Sequence, residues 1–177
     1  MEIDFLIGLA AGIIATFVFQ FLLLQKKPKV VLAQQVSMET LNTSPARYRY
    51  SFKAQNKGRH QVVDITLRAW LCELESVEGN EVSKGVYEFS INNSETRTLA
   101  PNGKSNRPWG LTSEAEFSAE SDQNILQFLS SRNHLIMITF KARDAISGTT
   151  LVLQQTYGKR DVVEGIFGFR ERMVVVR

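Results

Sequence analysis

The fold is decided by the stretch Val62-Val-Asp-Ile-Thr-Leu-Arg-Ala-Trp-Leu71, in which every second side chain from residue 63 onward is apolar. Successive side chains of a β-strand point to opposite faces, so this alternation predicts a strand with one buried face. The pattern extends to residue 74. We therefore predict a long strand over residues 62–74 and expect the neighbouring segments to pair with it.

Strand patterns also dominate the chain on both sides of this segment. Residues 47–54 alternate strictly, with the aromatic side chains Tyr48, Tyr50 and Phe52 on one face, as a half-buried strand requires. Asp144-Ala-Ile-Ser-Gly148 reads as a hairpin connection with glycine available for a positive φ. Further strands are predicted over residues 30–38, 86–91, 135–142, 149–157 and 166–176.

One short helix interrupts the strands. It is predicted at residues 125–129, with Ser121, Asp122 and Gln123 as its capping residues. About seven strands and one short helix indicate a mainly β protein, an immunoglobulin-like antiparallel β-sandwich.

The N-terminal segment is of another kind. Residues 5–24 form an unbroken run of 20 without a charged side chain, and as a helix this run is about 30 Å long, the thickness of a bilayer's hydrocarbon core. Acids at Glu2 and Asp4 precede it and lysines follow it, which predicts an outside N-terminus and a cytoplasmic C-terminal domain at the inner membrane. A cleaved signal peptide is the alternative, and the acidic start and long apolar core argue against it.

These patterns predict three parts of the chain. Residues 1–25 form a transmembrane helix, residues 26–45 a basic linker and the first strand, and residues 46–177 the rest of the sandwich. Cys72 is the single cysteine, so the chain forms no internal disulfide. The net charge of +3 is too small for a nucleic-acid footprint, and we expect no nucleic-acid partner.

Two sets of residues are candidate binding sites. Gly8 and Gly12 have the spacing at which small residues let membrane helices approach closely, although a plain anchor also contains such residues. Lys26, Lys27 and Lys29 would lie beside the membrane, where they attract anionic lipid headgroups; membrane topology alone also places lysines there. Further basic candidates, whose clustering the sequence leaves open, are Arg59, Arg68 and the pair Lys159 and Arg160.

Catalytic signals are scarce. His60 and His134 are far apart and have no local partners at metal-ligand spacing, and the acids at residues 114, 116, 120 and 122 are interpreted as a solvated loop. We expect a non-enzymatic protein with no catalytic residues, no cofactor and no metal.

The order of these segments resembles the inward-rectifier potassium channels, from the inner helix through the cytoplasmic domain. The similar stretches are Phe52-Lys-Ala-Gln-Asn56 with the basic residues after it, residues 62–71, the short helix, residues 136–140, the hairpin Asp144 to Thr149, Thr156-Tyr157 and residues 165–169. The resemblance implies an immunoglobulin-like domain that forms a tetrameric ring. It also implies that Lys26, Lys27 and Lys29 match the linker with which eukaryotic members hold phosphoinositide headgroups.

The chain departs from this family in its pore. No stretch reads Thr-Val-Gly-Tyr-Gly, and the pore helix and outer helix have no counterpart in the sequence. We therefore expect a homo-oligomeric, single-pass membrane protein with a regulatory or assembly domain that senses anionic lipid or a ligand. The alternative is a subunit or accessory of a potassium channel or a helix-bundle pore, lined by Thr16 and Gln20; with reversed orientation the sandwich would be an outward-facing adhesion domain.

Overall fold

The computed structural model describes residues 2–24, 27–45, 47–77, 80–92, 95–102, 112–131, 133–168 and 173–176. Its first element is helix α1 (Glu2–Leu24), whose described side chains, at residues 7–22, are all exposed. Within the described ranges, no helix is long and apolar enough to cross a membrane.

After α1 the chain is mainly β, as predicted. The described residues form a short helix α2 (Ile125–Phe128) and thirteen strands: β1 (Val30–Leu32), β2 (Val36–Leu41), β3 (Arg47–Asn56), β4 (Val62–Val77), β5 (Asn80–Glu88), β6 (Ile91–Asn92), β7 (Glu95–Leu99), β8 (Glu114–Ser121), β9 (His134–Asp144), β10 (Thr150–Tyr157), β11 (Val162–Glu164), β12 (Ile166–Phe167) and β13 (Val175–Val176).

Most of the strands belong to two sheets. The first sheet has the order β11-β2-β3-β8-β6, and β1 also pairs with β3. The second has the order β10-β9-β4-β5, with β7 along the other part of β4. Among the described strands, pairing is antiparallel except between β11 and β2, and β12 and β13 form a separate two-stranded sheet.

The core lies between the inner faces of these two sheets. Tyr50, Phe52 and Phe117 come from the first sheet, and Leu67 and Phe140 from the second; all are at most 1% exposed. The rings of Phe117 and Phe140 meet edge to face with centroids 6.4 Å apart, a preferred geometry for aromatic pairs. The predicted mainly β, sandwich-like fold class is thus confirmed.

The long central strand is confirmed, but its buried face differs at the start. Val62 and Ile65 are buried, whereas Val63 is only half-buried. Asp64 has φ 52°, and the register with β9 shifts between Val63 and Thr66. Across this shift β4 has one more residue than β9, as in a β-bulge. The alternation of buried and exposed side chains on β4 is therefore offset by one residue before the shift.

Several local predictions were wrong. The acidic segment that we expected to be a loop is strand β8, because its residues pair with β3 along residues 114–121. Helix α2 is capped by Asn124, whose side chain accepts a hydrogen bond from the Leu126 N–H, and not by residues 121–123. The segment 30–38 breaks into β1 and β2, and 86–91 into the end of β5 and β6. Of the strand predicted over 166–176, residues 169–172 lie outside the described residues, and the rest contains only the two-residue strands β12 and β13.

The outer face of the first sheet is partly covered by the C-terminal strap, which we define as residues 165–168 and 173–176. Phe167 and Val175 of this strap pack with Ala33. Beneath it, the Nζ of Lys53 donates to the Gly168 carbonyl at 3.3 Å and lies 3.0 Å from a carboxylate oxygen of Glu114. The strap therefore buries a face of β3 that simple alternation assigns to solvent.

Candidate functional site at the helix-proximal end

The chain arriving from α1 joins the sandwich at the loop between β3 and β4. Val30, the first residue of β1, is paired with Asn56, the last residue of β3. The N–H of Lys57 donates to the carbonyl of Lys29 at 2.7 Å. We call this part of the sandwich the helix-proximal end; it comprises residues 27–30, 56–61 and 144–149.

The short tether limits how far this end can lie from α1. Helix α1 ends at Leu24 and β1 begins at Val30, and six extended residue steps span at most about 20 Å. Val30, where the chain enters the helix-proximal end, is therefore held within that distance of the C-terminus of α1.

The buried side chain of Asn56 shapes the β3–β4 loop. Its Nδ2 donates to the carbonyls of His60 and Ala100 at 2.8 and 2.9 Å, and its Oδ1 accepts from the Gly58 N–H at 2.8 Å. A Cβ on Gly58 would come within 3.0 Å of that Oδ1 and 3.4 Å of the Lys29 nitrogen. Glycine thus permits the close approach of the loop to the incoming chain.

Four basic side chains are exposed at this end: those of Lys27, Lys29, Lys57 and Arg59. In the part of the chain that the structure describes, none of them forms an ion pair, whereas Arg47 and Arg49 on β3 are each paired with acids. Unpaired exposed cations keep their full attraction for an anionic surface.

The structure brings together some of the predicted basic residues and separates others. Lys27 and Lys29 lie at the end that also carries Arg59, while Lys26 is outside the described residues. Arg68 lies within β4, and the pair at 159–160 follows the end of β10 that is remote from the 144–149 turn. Lys57 was missed by sequence analysis; its position directly after the β3 pattern was the available signal.

The turn between β9 and β10 is braced against the β3–β4 loop. The buried carboxylate of Asp144 accepts hydrogen bonds from the Ile146 and Ser147 N–H groups at 2.9 and 2.8 Å and lies 3.2 Å from the Nδ1 of His60. Burial opposes the charge of this carboxylate, but the hydrogen bonds from Ser147 and Ile146 prevail and lower the pKa of Asp144. The predicted positive φ of Gly148 is confirmed at 69°.

The predicted association residues lie on one face of α1. Gly8, Gly12, Thr16 and Gln20 line a shallow groove together with Leu9, Ile13 and Phe17. A Cβ on either glycine would meet nothing within 4 Å, and the Thr16 hydroxyl donates to the Gly12 carbonyl at 2.8 Å. The two polar side chains proposed as a pore lining thus share their face with the two glycines.

The residues with catalytic potential have structural partners or are buried. His60 contacts Asp144, and the Nδ1 of His134 lies 2.5 Å from the Ser131 hydroxyl. Cys72 is buried, which raises the pKa of its thiol. Across the described ranges no group of three or more His, Cys, Asp or Glu side chains is arranged to hold a metal ion.

No protein-family model matches the chain, and no curated protein matches it. Among solved structures, the chain is similar to a structural genomics target designated SoR45, with 13% identity over 72% of this chain and 83% of that one and a TM-score of 0.39. It is similar to a protein described as ApaA from Bordetella pertussis, with 11% identity, 75% and 93% coverage and a TM-score of 0.39.

A third similar structure is Spo0M, a sporulation control protein from Bacillus subtilis, with 11% identity over 77% of this chain and 48% of that one and a TM-score of 0.36. Likenesses this weak assign neither a family nor a function. None of the three is described as an inward-rectifier channel.

Proposed function

We propose that this protein is a non-enzymatic, membrane-anchored β-sandwich whose helix-proximal end docks on anionic lipid headgroups. The observation that carries the proposal is the hydrogen bond from Lys57 to Lys29. It brings the basic β3–β4 loop beside the segment that follows α1. Lys27, Lys29, Lys57 and Arg59 then act together on one surface.

The anchor in this proposal is α1. The proposal takes the uncharged run 5–24 from the sequence, since the side chains at both ends of this run lie outside those described; a helix of 20 residues would be about 30 Å long, the thickness of a hydrocarbon core. The described side chains at residues 7–22 are exposed and almost all apolar, and a helix that is apolar all round needs a non-aqueous environment. Residues 1–25 would anchor the chain in the inner membrane, 26–45 would link and begin the sandwich, and 46–177 would complete it in the cytoplasm.

A short tether and a basic surface reinforce each other. The anchor keeps Val30 within about 20 Å of the C-terminus of α1, while electrostatic attraction at physiological salt decays over about 8 Å. Anchoring alone therefore leaves the sandwich free to move into or out of contact with the membrane surface. The content of anionic lipid decides between these states, which is how such a domain would sense its membrane.

We propose further that α1 associates with other copies through Gly8 and Gly12. Small residues permit close backbone contact, and the polar groups of Thr16 and Gln20 on the same face would then meet a neighbouring helix. This arrangement favours helix packing over an aqueous pore, because the same face cannot serve as both contact and lining. A tetramer, and a channel as partner, remain proposals that rest on the inward-rectifier resemblance.

The docking proposal is tested with the full chain in phosphatidylcholine vesicles, with or without phosphatidylserine. A fluorophore on Asn102→Cys reports on the helix-proximal end, since the N–H of residue 102 donates to the Gly58 carbonyl and Cys72 is buried. We expect nitroxide-headgroup lipids to quench this fluorophore more strongly when phosphatidylserine is present, and less as salt is raised.

A matched pair of charge reversals locates the effect. Lys57→Glu/Arg59→Glu should abolish the dependence on phosphatidylserine. Lys159→Glu/Arg160→Glu changes the charge equally at an exposed site remote from the helix-proximal end and should leave the dependence intact. Equal effects of the two double variants, or quenching that ignores phosphatidylserine in the unsubstituted protein, would contradict lipid docking by this end.

A further inference from the structure

The turn between β9 and β10 presents an apolar side chain at the helix-proximal end. Ile146 is 58% exposed and lies in the stretch Ala145-Ile-Ser-Gly148. Its neighbours in the turn are small, and none of these four residues carries a charge. A single exposed isoleucine is unremarkable by itself, so the argument depends on how the turn is built and where it lies.

All four backbone N–H groups of this turn are already hydrogen bonded within the protein. The Ala145 N–H donates to the Gln61 carbonyl at 3.0 Å, and the Gly148 N–H to the Asp144 carbonyl at 3.0 Å. The Ile146 and Ser147 N–H groups donate to one Asp144 carboxylate oxygen. Moving a peptide donor out of water is costly when it has no partner; this turn has no such donor to desolvate.

The turn is also held in place. Asp144 lies beside His60, and Ala145 is bonded to the β3–β4 loop through Gln61. The 145–148 turn is therefore fixed beside the loop that carries Lys57 and Arg59. Because the turn is already ordered, it would lose little conformational entropy on binding to another surface.

From this geometry we propose that the 145–148 turn is a membrane-insertion tip, with Ile146 entering the boundary between headgroups and acyl chains of an anionic bilayer. The inference rests on the proposed docking of the helix-proximal end and adds a second, apolar contact to it. Basic side chains draw the end to the headgroups, and the isoleucine then leaves water, as in other interfacial membrane contacts.

The test uses the full chain in phosphatidylserine-containing vesicles, with an environment-sensitive fluorophore on Ile146→Cys. The matched control is Val82→Cys, because Val82 is 49% exposed and pairs with Glu75 near the far end of β4. We expect the fluorophore at 146 to be blue-shifted, quenched by acyl-chain nitroxides and protected from iodide. The fluorophore at 82 should show none of these effects.

A second pair of variants measures the contribution of the side chain. Ile146→Ser should weaken docking, followed with the fluorophore on Asn102→Cys, by about tenfold, the loss expected when an isoleucine no longer leaves water. Val82→Ser should leave docking unchanged. Equal thermal unfolding of the two variants would show that each is folded.

The outcomes separate this inference from the proposed function. Should the fluorophore at 146 remain as accessible to iodide as that at 82, while the one at 102 still responds to phosphatidylserine, the insertion tip is wrong and the docking surface stands. If the fluorophore at 102 ignores phosphatidylserine, the docking proposal fails, and the inference that rests on it fails too.

Discussion

At the residue scale, two buried polar side chains differ in whether they have hydrogen-bond partners. Asp144 is 2% exposed and has hydrogen-bond donors from its own turn. Gln55 is fully buried, yet neither its Nε2 nor its Oε1 has a hydrogen-bond partner within the described part of the chain. Unpaired buried amides cost stability, so Asp144 stabilises the fold where Gln55 weakens it.

Replacing Asp144 with Asn should destabilise the folded protein at neutral pH by about 1–3 kcal/mol, because an amide oxygen is a weaker acceptor for the turn's N–H groups. The folded pKa of Asp144 is lowered below its ordinary value of 3.8. Its contribution is therefore complete above that pH and is lost as the pH falls through the folded value. Below about pH 4, Asp144→Asn should accordingly lower the free energy of unfolding by less than it does at neutral pH.

Urea unfolding over a pH series in detergent checks this expectation. Glu164→Gln is the control, since Glu164 is exposed and its substitution should change stability by less than about 0.5 kcal/mol. Superimposable pH profiles for the unsubstituted protein and Asp144→Asn would show that the carboxylate makes no special contribution.

At the element scale, the C-terminal strap determines which face of β3 meets solvent. Lys53 is only 5% exposed beneath it, although β3 alternates as a half-buried strand should. The strap begins at Gly165, which has φ 138°, a conformation open to glycine and strained for other residues. A Cβ at this position would overlap the carbonyl oxygen of Val176 and lie 3.2 Å from the Cγ1 of Val175.

Gly165→Ala should therefore detach the strap and destabilise the protein by about 1–3 kcal/mol. Faster proteolysis after residue 165 and a lower unfolding temperature are the expected measurements. Gly158→Ala is the matched control, because Gly158 has φ −92° and the nearest atom to an added Cβ is at 3.8 Å. Equal resistance of both variants to protease would mean that the strap tolerates a side chain at 165.

At the scale of the whole molecule, the segment that follows α1 enters the sandwich at its basic end. The pairing of β1 with β3 places the start of β1 beside the loop that carries Lys57 and Arg59. If the proposed lipid docking and the proposed association through Gly8 and Gly12 both hold, the chain would assemble in the plane of a membrane.

Crosslinking and native mass measurement in detergent test this assembly. We expect oligomers of the unsubstituted chain, and Gly8→Leu/Gly12→Leu should shift them to monomers because leucine side chains prevent close helix contact. Ala10→Leu is the control, since residue 10 does not line the groove. Only monomer at every concentration of the unsubstituted chain would exclude association through α1.

The sequence by itself determined the features that depend on neighbouring residues. The two-residue period over 48–54 and 62–71 is local, so it predicted β3 and most of β4. The hairpin with Gly148 was likewise readable, because a turn's φ requirement acts on a single residue. The apolar run 5–24 predicted helix α1, again because the pattern lies within one continuous segment.

The tertiary structure decided what depends on partners far along the chain. The acids of β8 belong to a strand because their backbones pair with β3, and charged side chains conceal such a strand in the sequence. Likewise, Lys29 adjoins Lys57 only because β1 pairs with β3. Pairing between distant segments depends on which backbones meet, and no local pattern records it; the candidate site therefore emerged from the fold, while its charges were already present in the sequence.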